Sequence, residues 1–259
     1  MKINLSIGDF SPLLRTPEHL FQRIQHTGID GLELWVGLKS RWTPKHYLKL
    51  SEKYSLPIVS IHQPLWALTG LYFDTGFFDL ARQMNVRSIT CHPLPYTSLH
   101  ATRMQRYFER LATRQSQTGI QILIENMPLK YRNGLLQKLS PLEPSTNSML
   151  DVYRAAAAHG LGVTLDTDHL RLARPHQESW FEEIFPAIKN IHLSSFTATD
   201  RHQPVDIGIL RTKELCQWIK GKKYTGLVTL EVNAPTAMTL VKFDHDAIAR
   251  SVQHVRSAI

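Results

Sequence analysis

The stretch LGVTLDTDHL (161–170) decides how this chain is read. Its first half, LGVTL, is a short apolar run with a β-branched centre, the pattern of a strand buried on both faces. Its second half places Asp166, Asp168 and His169 directly at the strand's end. A buried strand ordinarily ends in a turn, because unpaired charge is costly to remove from water. Either this strand ends at a rim where such residues have work to do, or something of opposite charge holds them there.

The same design recurs along the chain. Comparable runs are INLSI (3–7), GLELWV (31–36), PIVSI (57–61), VRSITC (86–91), IQILI (120–124), KNIHL (189–193) and GLVTL (226–230). Segments with helical spacing separate them. TPEHLFQRIQ (16–25) and TPKHYLKLSEKY (43–54) both open Thr-Pro, an N-cap followed by proline in the first turn. SLHATRMQRYFERLATRQ (98–115) is the longest helical pattern, and HDAIARSVQHVRS (245–257) closes the chain. Gly28, Gly119 and Gly160 stand where helices should stop before the next strand. Strand then helix, eight times over, predicts an α/β fold, a (β/α)8 TIM barrel forming a single domain over residues 1–259. An open doubly wound sheet is the structural alternative, but no GxGxxG follows any strand.

Composition agrees with an enzyme of this class. Of 259 residues, 42% are hydrophobic and 20% charged, which suits a large core under a charged surface. MKINLSIGDF lacks the apolar centre of a signal peptide. No stretch reaches the roughly 18 apolar residues of a membrane span. Cys91 and Cys216 offer no disulfide framework and fit a reducing compartment. A cytoplasmic protein with no membrane partner is therefore expected. The net charge of +8 favours an anionic ligand, a phosphorylated small molecule or nucleic acid.

In a barrel of this type, chemistry collects where the loops leave the C-terminal ends of the strands. Read in order, those ends carry His62, His92, Glu125, Asp166 with His169, His192, then Asp200 and His202 in the following loop, and Glu231. A single histidine at a strand end is ordinarily structural. Nine ligand-type residues on one rim point instead to a divalent cation, which removes the repulsion among crowded carboxylates. Asp168 alternates away from Asp166 and is expected to cap a turn or orient a ligand. Basic residues also gather on this side: Lys39, Arg41, Lys130, Arg132, Arg171, Arg174 and Arg201, with Trp42, Trp66 and Tyr131 among them. The segment 128–146 is long for a connection after a strand and reads as an active-site cover or a surface insertion.

The ordered set IHQP (61–64), CHP (91–93), LIEN (123–126), LDTDH (165–169), IHLSS (191–195), DRHQPVDIG (200–208) and LEVN (230–233) resembles the xylose isomerase-like TIM barrels. That superfamily includes the ketose epimerases and endonuclease IV, and the resemblance spans nearly the whole chain. It implies that Glu125, Asp166, His192 and Glu231 hold one Mn2+ or similar ion, with the two glutamates moving protons on either face of a sugar carbon. It also implies, from endonuclease IV, that His62 and His92 join Glu125 around a second ion, and His169, Asp200 and His202 around a third. Zn2+ or Mn2+, one to three ions, is the expected cofactor.

Two functions follow from the resemblance. The first is a metal-dependent isomerase or epimerase of a sugar or sugar phosphate, with Glu125, Glu231 and His169 catalytic and Lys130, Arg132, Arg201 and Trp66 binding substrate. The alternative is a trinuclear-zinc phosphodiesterase acting on abasic DNA. Departures from endonuclease IV favour the sugar enzyme: Pro93 leads to Leu94 and Asn126 to Met127-Pro128 where glycines are expected, and LDTDH continues as LRLAR. A metal-binding barrel without catalysis is a third reading, opposed by the intact pair Glu125 and Glu231. Helices on the outside of such a barrel would offer a surface for a homo-oligomer.

Overall fold

Alternation within each apolar run sends one side chain toward a central axis and the next outward against helices, and eight such runs close on themselves. The computed structural model describes residues 1–8, 17–35, 43–63, 76–94, 100–127, 149–232 and 245–259. Its strands are β1 (Ile3–Gly8), β2 (Gly31–Trp35), β3 (Ile58–His62), β4 (Ser88–Cys91), β5 (Gln121–Glu125), β6 (Gly162–Asp166), β7 (Ile188–Leu193) and β8 (Leu227–Leu230). Neighbours pair in sequence order, all parallel, and β1 pairs with β8 to close the barrel. The expected (β/α)8 fold is the fold found.

The helices that cover the strands are α1 (Pro17–Ile24), α2 (Pro44–Tyr54), α3 (Gly76–Gln83), α4 (Thr102–Thr118), α5 (Met149–Ala157), the single turn α6 (Thr167–Leu170), α7 (Phe181–Ile184), α8 (Thr212–Gly221) and α9 (His245–Arg256). In α2 the predicted start is observed: the Thr43 side chain accepts from His46 N, and Pro44 lies in the first turn. The long helix runs three residues past the expected end, because its polar last turn continues until Gly119 adopts φ +69° and stops it. Its buried residues Met104, Phe108 and Leu111 recur at helical spacing and face the sheet. Ile61, Ile89, Ile122, Ile124, Val163, Leu165, Ile191 and Val228, all without exposed surface, belong to that same core. Among the described residues no helix is long and apolar enough to cross a membrane.

Register sets the level of the rim. Trp35 lies beside His62, and Asp166 beside His192. Between β3 and β4, β5 and β6, and β7 and β8 the rim residues step forward by two, since His62 lies beside Thr90, Glu125 beside Thr164, and His192 beside Thr229. This stagger is the tilt that closing a barrel requires. Two positions below the rim, on the same face of their strands, stand Glu33, Ser60, Thr90, Thr164, Asn190 and Thr229, all fully buried. Apolar residues usually dominate the layers inside such barrels. Here a polar floor underlies the site.

Candidate metal centre

The opening question has a local answer at Asp166. It is the N-cap of α6, its Oδ1 accepting from His169 N at 2.8 Å. Its Oδ2 is buried with no hydrogen-bond partner among the described residues, although His169 Nδ1 lies 3.6 Å away. One oxygen of the strand-ending carboxylate thus builds the turn, and the other is left for the site.

Glu125, Asp166, His192 and Glu231 come together there, each offering one ligand atom within 4.8 Å of the others. His192 Nδ1 lies 3.1 Å from Glu125 Oε1 and 2.9 Å from Glu231 Oε2. The second contact is short without being aligned as a hydrogen bond, so Glu231 Oε2 counts as buried and unpaired. Close approach without alignment is what atoms converging on a common point show. All four residues are buried, with three oxygen donors and one imidazole, and unpaired carboxylate oxygens face inward. That donor set fits a divalent cation such as Mn2+ or Zn2+.

Three further groups adjoin it, one of them made by Glu33, below the rim, with His62 and His192. His62, His92 and Glu125 form a second, with Glu125 Oε2 at 3.2 Å from His62 Nε2 and 2.9 Å from His92 Nε2. Asp166, His169 and His202 form another. Hydrogen bonds fix two of these rings. His62 Nδ1 lies 2.8 Å from Gln63 O, and His169 Nδ1 lies 2.7 Å from Asn126 O. A carbonyl only accepts, so Nδ1 carries the proton in both rings, and His62 turns Nε2 to Glu125. His92 is placed from behind: its N–H donates to Gln63 Oε1 at 2.8 Å, and its carbonyl accepts from Tyr107 OH at 3.0 Å.

Crowded charge perturbs these groups in opposite directions. Burial, then Glu231 and Glu125, raises Asp166 well above the usual carboxylate range. Burial also works against ionised Glu125 and Glu231, but His192 outweighs it and both end below that range. Burial lowers His169 to about 3. Carboxylates pushed apart in this way mark a site built to share positive charge.

Asp200 is not brought to the cluster. It is exposed in the loop after β7, its Oδ2 accepting from Thr197 Oγ1 at 3.0 Å and Thr199 Oγ1 at 2.8 Å. That turn, closed by Asp200 N donating to Thr197 Oγ1 at 2.9 Å, directs its carboxylate outward. The buried acid beside this loop is Asp168. Its Oδ2 accepts from Arg201 Nε at 2.6 Å, and its Oδ1 from His202 N at 3.1 Å. Asp168 therefore orients both Arg201 and His202. Arg171 is tied to the same loop, donating to Thr197 O at 2.5 Å, whereas Arg174 pairs with Glu214 on the surface. Trp66, Lys130 and Arg132 lie outside the described residues, as do Lys39, Arg41, Trp42, Tyr131 and the segment 128–146.

Sequence reasoning passed over Glu33. It lies inside β2, has no exposed surface, and its Oε1 is 2.9 Å from His192 Nε2. A lone acid within the apolar run GLELWV was the available signal. Asn126, at the end of the LIEN motif, also belongs to the site, since it touches both Asp166 and His169.

Known proteins share this architecture. The profile of the family described as xylose isomerase-like TIM barrel matches residues 21–258. An uncharacterized protein of Mycobacterium tuberculosis is 23% identical over 282 aligned residues, covering 99% of this chain and 97% of the relative. Among solved structures, an AP endonuclease, family 2, from Brucella melitensis superposes with a TM-score of 0.70 at 18% identity, covering 98% of this chain and 99% of that one. D-allulose 3-epimerase from Methylomonas sp. superposes with a TM-score of 0.70 at 13% identity, covering 100% and 97%. At these identities the structural matches establish the fold.

Proposed function

For a chain that belongs to the xylose isomerase-like TIM barrel family, we propose a metal-dependent isomerase or epimerase of a sugar or sugar phosphate. The carrying observation is the convergence of Glu125 and Glu231 on His192 Nδ1, with Asp166 in the same buried group. When bound there, a divalent ion supplies charge that polarises a carbonyl and neutralises negative charge developing on its oxygen.

The protein's own residues do the rest. One glutamate takes the proton from the carbon beside the carbonyl, and the other returns one. His62 and His92 fix Glu125 by holding its Oε2. His169, slightly exposed and committed to Asn126 through Nδ1, turns Nε2 to a substrate oxygen. Arg201, anchored on Asp168 through Nε, supplies a fixed positive charge for an anionic substrate. Lys130, Arg132 and Trp66 are proposed to complete the substrate pocket.

The test is incubation with ketoses and ketose phosphates in D2O, with Mn2+, Mg2+ or Zn2+ added. Proton NMR should show loss of one substrate C–H signal and growth of an isomer, neither occurring with Glu231→Gln. No exchange with any substrate or metal would overturn the assignment.

A second reading has its own support in the groups His62–His92–Glu125 and Asp166–His169–His202 beside the four-residue centre. If these groups and the four-residue centre held ions together, they would supply the charge to activate a water and stabilise the leaving oxygen of a phosphodiester, which is the chemistry of abasic-DNA cleavage. Roughly three zinc ions per chain by elemental analysis, with nicking of an abasic oligonucleotide, would establish it. A single ion per chain would return His62, His92 and His202 to positioning and substrate contact.

A further inference from the structure

We propose that Glu33, sealed in the barrel below the rim, is a positioning residue that keeps the His192 proton on Nε2 and so leaves the Nδ1 lone pair for the metal. This inference rests on the metal-centred function proposed above and adds a residue from outside the ligand set.

Glu33 stands two positions before Trp35 on β2 and has no exposed surface. A carboxylate buried there is tolerable only with close partners, and two strands provide them. Oε2 accepts from Ser60 Oγ at 2.7 Å on β3 and from Asn190 Nδ2 at 3.1 Å on β7. The Asn190 amide is oriented in turn, since Thr229 Oγ1 donates to its Oδ1 at 2.9 Å. With two donors on Oε2, only Oε1 is left, and it lies 2.9 Å from His192 Nε2.

That contact is not aligned as a hydrogen bond, and among the described residues neither atom has a hydrogen-bond partner, though a ligand atom of His62 lies within 4.8 Å of those of Glu33 and His192. Its length still decides the tautomer. Without an ion, Nδ1 also faces carboxylates, Glu125 Oε1 at 3.1 Å and Glu231 Oε2 at 2.9 Å, but a cation bound there takes its lone pair. A carboxylate oxygen and a bare imidazole lone pair would repel at 2.9 Å, so the remaining proton belongs on Nε2. The ring plane is also constrained: His62 stacks on His192 with centroids 5.3 Å apart, and Trp35 stacks on His62 at 4.2 Å. A carboxylate behind a ligating imidazole fixes and strengthens the histidine as a ligand.

Glu33→Gln tests this with little change in size. Ser60 and Asn190 both donate, so the new amide oxygen should face them and the amide NH2 should face His192. Nε2 must then accept, the proton moves to Nδ1, and the ligand nitrogen is blocked. The measurements are Mn2+ and Zn2+ affinity of metal-stripped protein against a competing chelator, and 15N imidazole NMR of the zinc-loaded protein. Affinity should fall roughly 10–100-fold in Glu33→Gln with the circular dichroism unchanged. Ser60→Ala, which removes one donor but keeps the carboxylate, should lose far less. In the wild type, His192 should show a protonated Nε2.

Wild-type affinity in Glu33→Gln would overturn the inference. A protonated Nδ1 in the zinc-loaded wild type would do so as well, and needs no variant to fold. Wild-type protein that binds neither ion would instead strike the metal-centred function itself, and the inference with it.

Discussion

Asn126 and Asp166 clasp each other across the ends of β5 and β6. Asp166 N donates to Asn126 Oδ1 at 2.7 Å, and Asn126 Nδ2 donates back to Asp166 O at 3.0 Å. The Asn126 carbonyl also holds His169 Nδ1. One asparagine therefore sets the spacing of Glu125, its neighbour in the chain, from Asp166, and fixes the ring of His169 as well.

Asn126→Ala should accordingly lower both stability and metal affinity. It strands the buried N–H of Asp166, which costs about 1–3 kcal/mol, and it frees two strand ends that must present ligands together. Denaturant unfolding of the metal-free protein reads the first effect, and ion titration reads the second. Loss of stability with unchanged metal affinity would show that the clasp supports the barrel and not the site.

Glu231→Gln should leave the barrel folded and reduce turnover by at least ~100-fold, the usual contribution of one acid–base group. Its carboxylate ends the strand that closes the barrel and faces His192 Nδ1 at 2.9 Å. Activity within a few-fold of wild type would remove the glutamate pair from the mechanism.

His62→Ala separates the two functional readings. If a single ion is used, the variant loses only one of the two rings on Glu125 Oε2 and should keep its metal and much of its activity. If the flanking groups hold ions, metal content and phosphodiester cleavage should fall together. Elemental analysis beside a turnover assay distinguishes these outcomes.

The barrel was legible because each strand is a short β-branched run and each run stops at a chemically conspicuous residue. His62, His92, Glu125, Asp166, His169, His192, His202 and Glu231 could be placed on one rim by strand order alone, since a closed parallel barrel brings all eight C-terminal ends together. Asp200 and Asp168 could not be ranked in that way. Both lie close to a ligand-type histidine in sequence, and only the turn over Thr197–Asp200, closed by side-chain hydrogen bonds, shows which acid faces outward. Glu33 escaped notice because it sits two residues before its strand's end, where alternation reads it simply as one inward residue. Its importance depends on Ser60, Asn190 and His192, which come from strands distant in the chain.

Asp168→Asn should act on substrate binding more than on chemistry. Asp168 is fully buried and is 2.6 Å from Arg201 Nε. With its charge removed, Arg201 and His202 lose their shared anchor at the mouth of the site. KM should rise more for a phosphorylated sugar than for its neutral counterpart, with kcat less affected. Equal changes for both substrates would mean that Arg201 does not face the phosphate.

Metal binding should release protons near neutral pH. In the metal-free protein, burial and the neighbouring Glu231 and Glu125 hold Asp166 well above its ordinary 3.8. His192 is raised well above 6.5, because Glu33, Glu231 and Glu125 outweigh burial. Each therefore keeps a proton that its unfolded counterpart has lost. Their contribution to stability is complete below the unfolded values and disappears as pH rises through the folded ones. His169 has the opposite sign: burial lowers it to about 3, so its contribution is present above 6.5 and is lost as pH falls toward 3. A metal needs the Asp166 carboxylate and the His192 Nδ1 lone pair free, so those protons must leave when it binds. Calorimetric titration near pH 7 in buffers of different ionisation enthalpy should give apparent heats that vary linearly with the buffer, in the direction of net release. The metal-free protein should also lose thermal stability as pH rises above 6.5, and the metal-loaded protein should not. Heats independent of buffer would mean that Asp166 and His192 are already deprotonated, or that neither is a ligand.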